Sequence, residues 1–251
     1  MPSVKAFLQQ VKGYILCSIC RTPLLSLAEM DAWGNRYCVR HSKELSRCTC
    51  CQRLVCDALT QGGVAYKDNR VVCNLCRKTA IDTKEQAKPY VEAAAAWLFK
   101  KGLVFQNLKL HFDLVYLDQL ISSVKPRYGT PQGMIYQSTS GRVRMVNGVA
   151  ILKGLSRQVL SGVVTHELGH AWLFVCGVDG LPLPIEEGFC NTLSYLYHSE
   201  FNTDEAKFCK RVIKRSPDPV YGDGFRQVYA SVQKHSFQSV VSNLQKYHKL
   251  P

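Results

Sequence analysis

The sequence predicts an α+β fold in two parts: a cysteine-rich N-terminal module over residues 1–82, and a domain with a small sheet and long helices over residues 83–251. Three observations predict it. Nine of the 12 cysteines lie between Cys17 and Cys76. Helical periodicity begins only after that stretch. Strand-like runs sit between the first long helical pattern and the next. Taken in order, Lys84–Lys101 reads as a helix, and Leu108–Tyr116 and Arg142–Leu152 read as strands. Ser156–Cys176, Pro184–Phe201 and Phe225–Tyr247 read as helices. Ser156 is the expected N-cap of the second helix and Gly177 its expected C-cap.

At 251 residues the chain suits one large or two small domains, and an apolar fraction of 46% supplies a core. No apolar run reaches 18 residues, so no membrane partner is expected. Met1 to Gln10 lacks a cationic segment leading into an apolar one, so no secretory signal is expected. Cysteines in a reducing compartment are more often metal ligands than disulfides, which implies a cytoplasmic location. The net charge of +13 favours an acidic protein partner. Nucleic acid is not the expected ligand, because aromatic and basic residues do not interleave in any one segment.

The cysteines fall into four paired knuckles. Cys17-x2-Cys20 is followed by Cys38-x2-His41, then by Cys48-x2-Cys51 and Cys73-x2-Cys76. Paired knuckles of this spacing make two closed tetrahedral sites, Cys₃His and Cys₄, for two structural Zn²⁺ ions. Cys50 and Cys56 are spare, since Cys48-x2-Cys51 fits a knuckle and Cys48-x-Cys50 does not. Gly34-Asn35-Arg36-Tyr37-Cys38 resembles Asp68-Asn69-Arg70-Val71-Val72-Cys73. Each reads as a tight turn entering a strand that delivers the second ligand pair. Two units this small would be folded by their metals.

In the second part, His166-Glu167-Leu168-Gly169-His170 reads H-E-x-x-H. On a helix, residues i and i+4 share a face, so the two imidazoles can hold one Zn²⁺ while Glu167 reaches an attacking water. The surrounding segment is apolar on most sides, and a helix of that kind is buried. Three ionisable side chains in it are costly without partners, and a metal removes that cost. Glu186 and Glu187 follow on the next helical segment, and one of them can complete a three-residue ligand set. His198 and His111 read as ordinary structural histidines.

Leu152 to Gly162 running into HELGHAWL, IEEGFC at Ile185 to Cys190, and YGDGFR at Tyr221 to Arg226 together resemble a known peptidase domain. It is that of the LIM-containing, ubiquitin-activated peptidases that limit organ growth in plants, the "DA-one" family. The resemblance covers residues 85–251 well. The N-terminal module resembles a LIM domain more loosely. Cys38 precedes His41 where LIM domains usually place histidine first, and Ser42 to Arg47 form a longer spacer than usual, so the packing of its two units stays open. The resemblance implies a zincin-like domain of gluzincin type, acting on protein or peptide substrates with one catalytic Zn²⁺. It implies His166, His170 and Glu187 as ligands, because gluzincins place the acidic ligand directly before a glycine, and Glu167 as general base. Oxyanion stabilisation would fall to Tyr221, Arg226 or Tyr136. The competing reading is a non-catalytic zinc-finger interaction or nucleic-acid-binding protein with an inactive peptidase-like half.

Overall fold

The computed structural model describes residues 15–24, 28–105, 111–123 and 131–251, and the chain divides between Lys78 and Thr79 into two units. The Met1 to Gln10 segment and the start of the strand expected from Leu108 lie outside the described residues. Residues 79–82, expected with the first part, are stitched to the second. Arg157 N donates to Thr79 O at 2.9 Å, Ile81 N to Leu155 O at 2.9 Å, and Gly154 N to Ile81 O at 2.8 Å.

The first unit is one small motif used twice. Strands β1 (Ala28–Met30) and β2 (Arg36–Cys38) form a hairpin that runs into helix α1 (Val39–Glu44). Helix α2 (Asp57–Thr60) precedes a second hairpin, β3 (Gly63–Ala65) with β4 (Val71–Cys73), which runs into helix α3 (Asn74–Arg77). Each Cys-x2-Cys knuckle precedes its hairpin and closes in the same way. Arg21 N donates to Cys17 O and Gln52 N to Cys48 O, and both Arg21 and Gln52 have φ near +60° (62° and 61°). Each knuckle docks on its hairpin by one matching bond, Ser18 N to Arg36 O and Thr49 N to Val71 O, both 2.8 Å. The two copies meet where Trp33 Nε1 donates to Cys51 O at 2.8 Å, with the Arg53 guanidinium stacked over the Trp33 ring. The apolar cluster around the first knuckle is small, centred on Cys17, Tyr37 and Leu54.

The second unit opens with helix α4 (Lys84–Lys100), whose Thr83–Gln86 capping box satisfies the first free amides. Strand β5 (Phe112–Val115), helix α5 (Leu117–Ser123), and strands β6 (Gly133–Ser140) and β7 (Val143–Leu152) follow. They build a three-stranded sheet of order β5-β7-β6, in which β5 runs parallel to β7 and β6 antiparallel to it. Five helices complete the unit: α6 (Arg157–Val175), α7 (Leu183–Ser199), α8 (Asp204–Arg215), α9 (Gly224–His235) and α10 (Phe237–Tyr247). A π-helical turn, Pro219–Asp223, leads into α9. Among the described residues no helix is long and apolar enough to cross a membrane.

Two departures from the expected elements have simple causes. The helix expected from Phe225 to Tyr247 is broken at Ser236, where φ is +78° and the hydroxyl accepts from Ser239 N to start α10. Helix α8 was not expected, although Thr203 caps it, acids stand in its first turn and bases in its last.

Helix α6 is buried along Leu160, Val164, Leu168, Ala171 and Trp172. It ends as a Schellman motif: Gly177, with φ +72°, donates to Phe174 O, and Val178 N donates to Leu173 O. Helix α7 lies directly against it because Gly162 and Gly169 leave room. A Cβ on Gly169 would stand 2.8 Å from Leu193 Cδ1, and one on Gly162 would strike the His198 ring. Ser194 Oγ also donates to Gly162 O at 2.7 Å across this contact.

His198 is buried and accepts on Nδ1 from Gln158 Nε2 at 2.7 Å, so its single proton sits on Nε2. Burial, then the charge of Lys210, pushes its pKa down to about 4. The unfolded chain takes up this proton below about pH 6.5, whereas the folded chain resists it until about pH 4. Stability is therefore expected to fall by roughly 3 kcal/mol as pH drops through that window. Denaturant melts of wild type and His198→Gln between pH 7 and pH 4 check this. Equal pH slopes for the two proteins would overturn it.

Candidate metal centre

In the first unit the strand ends and helix starts supply the ligands. Cys38 closes β2 and His41 lies one turn into α1, just as Cys73 closes β4 and Cys76 lies in α3. The hairpin strands thus deliver one member of each second pair, and the short helices deliver the other. Cys17, Cys20, Cys38 and His41 form one group that could hold a metal ion, and Cys48, Cys51, Cys73 and Cys76 form another. The spacings suit zinc. Tetrahedral Zn–S bonds of about 2.3 Å put sulfurs about 3.8 Å apart. Cys20 Sγ and Cys38 Sγ are 3.8 Å apart, and Cys51 Sγ and Cys73 Sγ are 3.7 Å apart. His41 Nε2 is buried with no hydrogen-bond partner, as a nitrogen reserved for a metal would be. Cys51, not the equally buried Cys50, belongs to the four-cysteine group.

In the second unit α6 presents His166, Glu167 and His170, and the start of α7 brings Glu186 and Glu187 alongside. The imidazoles are oriented from behind. Asn191 Nδ2 donates to Tyr221 O at 3.1 Å, which turns its Oδ1 towards His166 Nδ1 at 3.1 Å. Glu186 Oε1 accepts from His170 Nδ1 at 3.0 Å. Both rings therefore carry their proton on Nδ1 and aim the Nε2 lone pair forward. The two Nε2 atoms stand 3.2 Å apart, and Glu187 Oε2 lies 3.2 Å from one and 3.5 Å from the other. Three electron-pair donors face one another, and Glu187 Oε2 is buried with no hydrogen-bond donor. Tetrahedral Zn²⁺ with bonds of about 2.0–2.1 Å requires donors about 3.3 Å apart, so the residues fit the ion.

The electrostatics agree. Burial raises the Glu187 carboxyl, but His166 and His170 outweigh it and hold the group well below the usual carboxylate range. Burial lowers His170, but Cys190, Glu186 and Glu187 outweigh it and lift the imidazole well above its usual range. Glu167 faces the same space, its pKa raised by burial against the pull of His166 and His170.

Tyr221, in the π-helical turn, lies beside this cluster. Burial, then the charge of Glu187, pushes its hydroxyl up to about 12, so it stays a hydrogen-bond donor. Arg226 is turned away. Its guanidinium donates to Ser216 O at 2.9 Å and Lys214 O at 3.2 Å and pairs with Asp223, which caps the end of α8. Tyr136 points off the other face of β6 from Gly133, whose absent Cβ would meet Glu167. Two residues near the cluster were not singled out by the sequence. Asn191 stands four residues after Glu187, a spacing that puts both on one helix face. Cys190 is fully buried, and its Sγ lies within 4.8 Å of the imidazole nitrogens.

The family described as DA1-like, Protein DA1, matches residues 116–206 and 197–247, more than half of the chain. The chain belongs to the DA1-like family. The matched residues include α6, α7 and the π-helical turn. Among curated relatives, Protein DA1-related 7 of Arabidopsis thaliana is 24% identical over 93% of this chain and 53% of its own length. LIM domain-containing protein HDR3 of Oryza sativa subsp. japonica is 21% identical over 91% of this chain and 60% of its own length. Protein DA1 of Arabidopsis thaliana is 23% identical over 87% and 52% respectively. The chain thus spans 52–60% of the length of these relatives. No solved structure matches it.

Proposed function

We propose that this DA1-like chain is a zinc-dependent endopeptidase that hydrolyses peptide bonds in protein substrates. The observation that carries the reading is the convergence of His166 Nε2, His170 Nε2 and Glu187 Oε2 within 3.5 Å, with Glu167 beside them. When bound there, Zn²⁺ supplies a Lewis acid that polarises a carbonyl and acidifies water. His166, His170 and Glu187 would hold it. Glu167 accepts the proton of the attacking water and passes it to the leaving amine nitrogen. Burial raises its pKa above the usual carboxylate range, which makes it a stronger base than an exposed glutamate. Tyr221 donates a hydrogen bond to the developing oxyanion. Asn191 and Glu186 hold the imidazoles in place.

In this reading residues 79–251 form a zincin-like catalytic domain. Residues 1–78 form a LIM-like module with two structural zinc ions that recruits an acidic protein partner, and the protein acts in the cytoplasm. The competing reading, an interaction module with a silent peptidase-like half, leaves the oriented imidazoles and the buried Glu167 without a purpose. The test is metal content set against hydrolysis. Three zinc ions per chain are expected, one of them lost readily to a chelator together with cleavage of an unfolded protein, and both restored by added Zn²⁺. Two ions per chain and no cleavage would establish the competing reading instead.

A further inference from the structure

The turn that carries Tyr221 is held more tightly than a surface turn requires. It is π-helical over Pro219–Asp223, a rare geometry that often marks functional sites. Two oxygens of Asp218 satisfy four consecutive amides in it, Val220 to Asp223. The carboxylate Oδ1 accepts from Val220 N and Tyr221 N, both at 2.8 Å. The backbone carbonyl accepts from Gly222 N at 2.8 Å and from Asp223 N at 3.1 Å. The turn also has no room to shift. A Cβ on Gly222 would stand 2.1 Å from Ser216 O, and one on Gly224 would stand 2.0 Å from Pro184 O. Pro184 is the second residue of α7, so the turn is seated where Glu186 and Glu187 enter the cluster.

What this turn delivers to the cluster is a main-chain oxygen as well as a hydroxyl. Tyr221 O accepts from Asn191 Nδ2 at 3.1 Å, which leaves Asn191 Oδ1 for His166 Nδ1 at 3.1 Å. An amide has a donor end and an acceptor end, so the place of Tyr221 O decides which end meets the imidazole. With Tyr221 O displaced, the amide could turn over and offer N–H to Nδ1. The ring proton would then move to Nε2, the atom that faces His170 Nε2 and Glu187 Oε2. A protonated Nε2 has no lone pair for a metal.

We propose that Asp218 is a positioning residue for the metal centre: by fixing Tyr221 O it sets the Asn191 amide, and through it keeps the His166 Nε2 lone pair facing the other donors. The proposal rests on the metal centre of the peptidase reading, and not on hydrolysis itself. The experiment measures the affinity of the readily lost zinc in the full chain, by competition with a chromophoric chelator. It compares wild type, Asp218→Ala, Asp218→Asn, Tyr221→Phe and Thr203→Ala, with circular dichroism melts to establish that each variant is folded. Asp218→Ala should weaken that zinc by about 10–100-fold, the usual cost of losing a group that orients a ligand. Asp218→Asn keeps an acceptor oxygen at the same cap and should bind within about threefold of wild type. Tyr221→Phe removes the hydroxyl but not the carbonyl, so hydrolysis should slow while zinc affinity holds. Thr203→Ala removes a helix cap of the same kind at the start of α8, and should lower the melting temperature with zinc affinity unchanged. A folded Asp218→Ala chain that holds zinc as wild type does, or an equal loss in Thr203→Ala, overturns the positioning role whether or not the protein cuts peptides. If wild type cuts nothing but Asp218→Ala still loses zinc, the peptidase reading fails and the positioning role stands. A wild type that takes up no third zinc overturns both.

Discussion

Replacing Glu167 with Gln is expected to lower the rate of peptide hydrolysis by about 10²–10⁴-fold, the usual contribution of a positioned general base. The amide has the size of the carboxylate, so the fit against the missing Cβ of Gly133 is preserved. It has no proton affinity at neutral pH, so it cannot take a proton from water or return one to an amine. Glu167 is not among the three converging donors, so metal content should stay at the wild-type level. Steady-state kinetics on one peptide, paired with metal analysis of the same sample, reads both quantities. An unchanged kcat in a fully metallated variant would remove Glu167 from the mechanism.

The second large effect is expected in the first unit. Cys73→Ser should cost most of the binding energy of one structural zinc, about 10–16 kcal/mol in small zinc-folded domains. Among the described residues only a small core offsets such a loss: besides its four ligands, the second site's buried residues are Cys50, Leu54, Thr60, Arg70 and Val72. The Ser46–Arg77 region should become open to limited proteolysis, while the unit from Thr79 onward keeps its own resistance. Fragment masses locate the cuts. A Cys73→Ser chain that lacks one zinc yet resists protease across residues 46–77 would show that the metal is not what folds this segment.

How much of this was legible depends on how local each signal is. The knuckles and the H-E-x-x-H pair were readable because their spacing is fixed within one turn or one helix, so no tertiary information is needed. Glu187 was harder. Spacing alone allowed Glu186 as well, and a resemblance to gluzincins was needed to prefer one. The geometry gives each a distinct place, with Glu187 facing the lone pairs and Glu186 behind His170. Asn191 was open to the same i+4 logic but went unread, because an amide carries no titration signal to attract notice. Arg226 was named from its segment, yet a long side chain follows the nearest free carbonyls, and those belong to the end of α8. The break at Ser236 and strand β6 were hidden for a different reason. Neither follows a strong local propensity, and both depend on what packs around them.

The duplicated motif of the first unit bears on how it fills with metal. Each ion closes a loop in the chain, Cys17 to His41 in one copy and Cys48 to Cys76 in the other. The two loops are so similar in length that their closure entropies differ by only about 0.1 kcal/mol. Chain connectivity therefore gives neither copy precedence. Any order of loading has to come from how the sites themselves differ: an imidazole at His41 against a thiolate at Cys76, and two partly exposed ligands in the first site against four buried ones in the second. Under limiting zinc the singly loaded molecules divide according to donor and burial, not according to the chain between them.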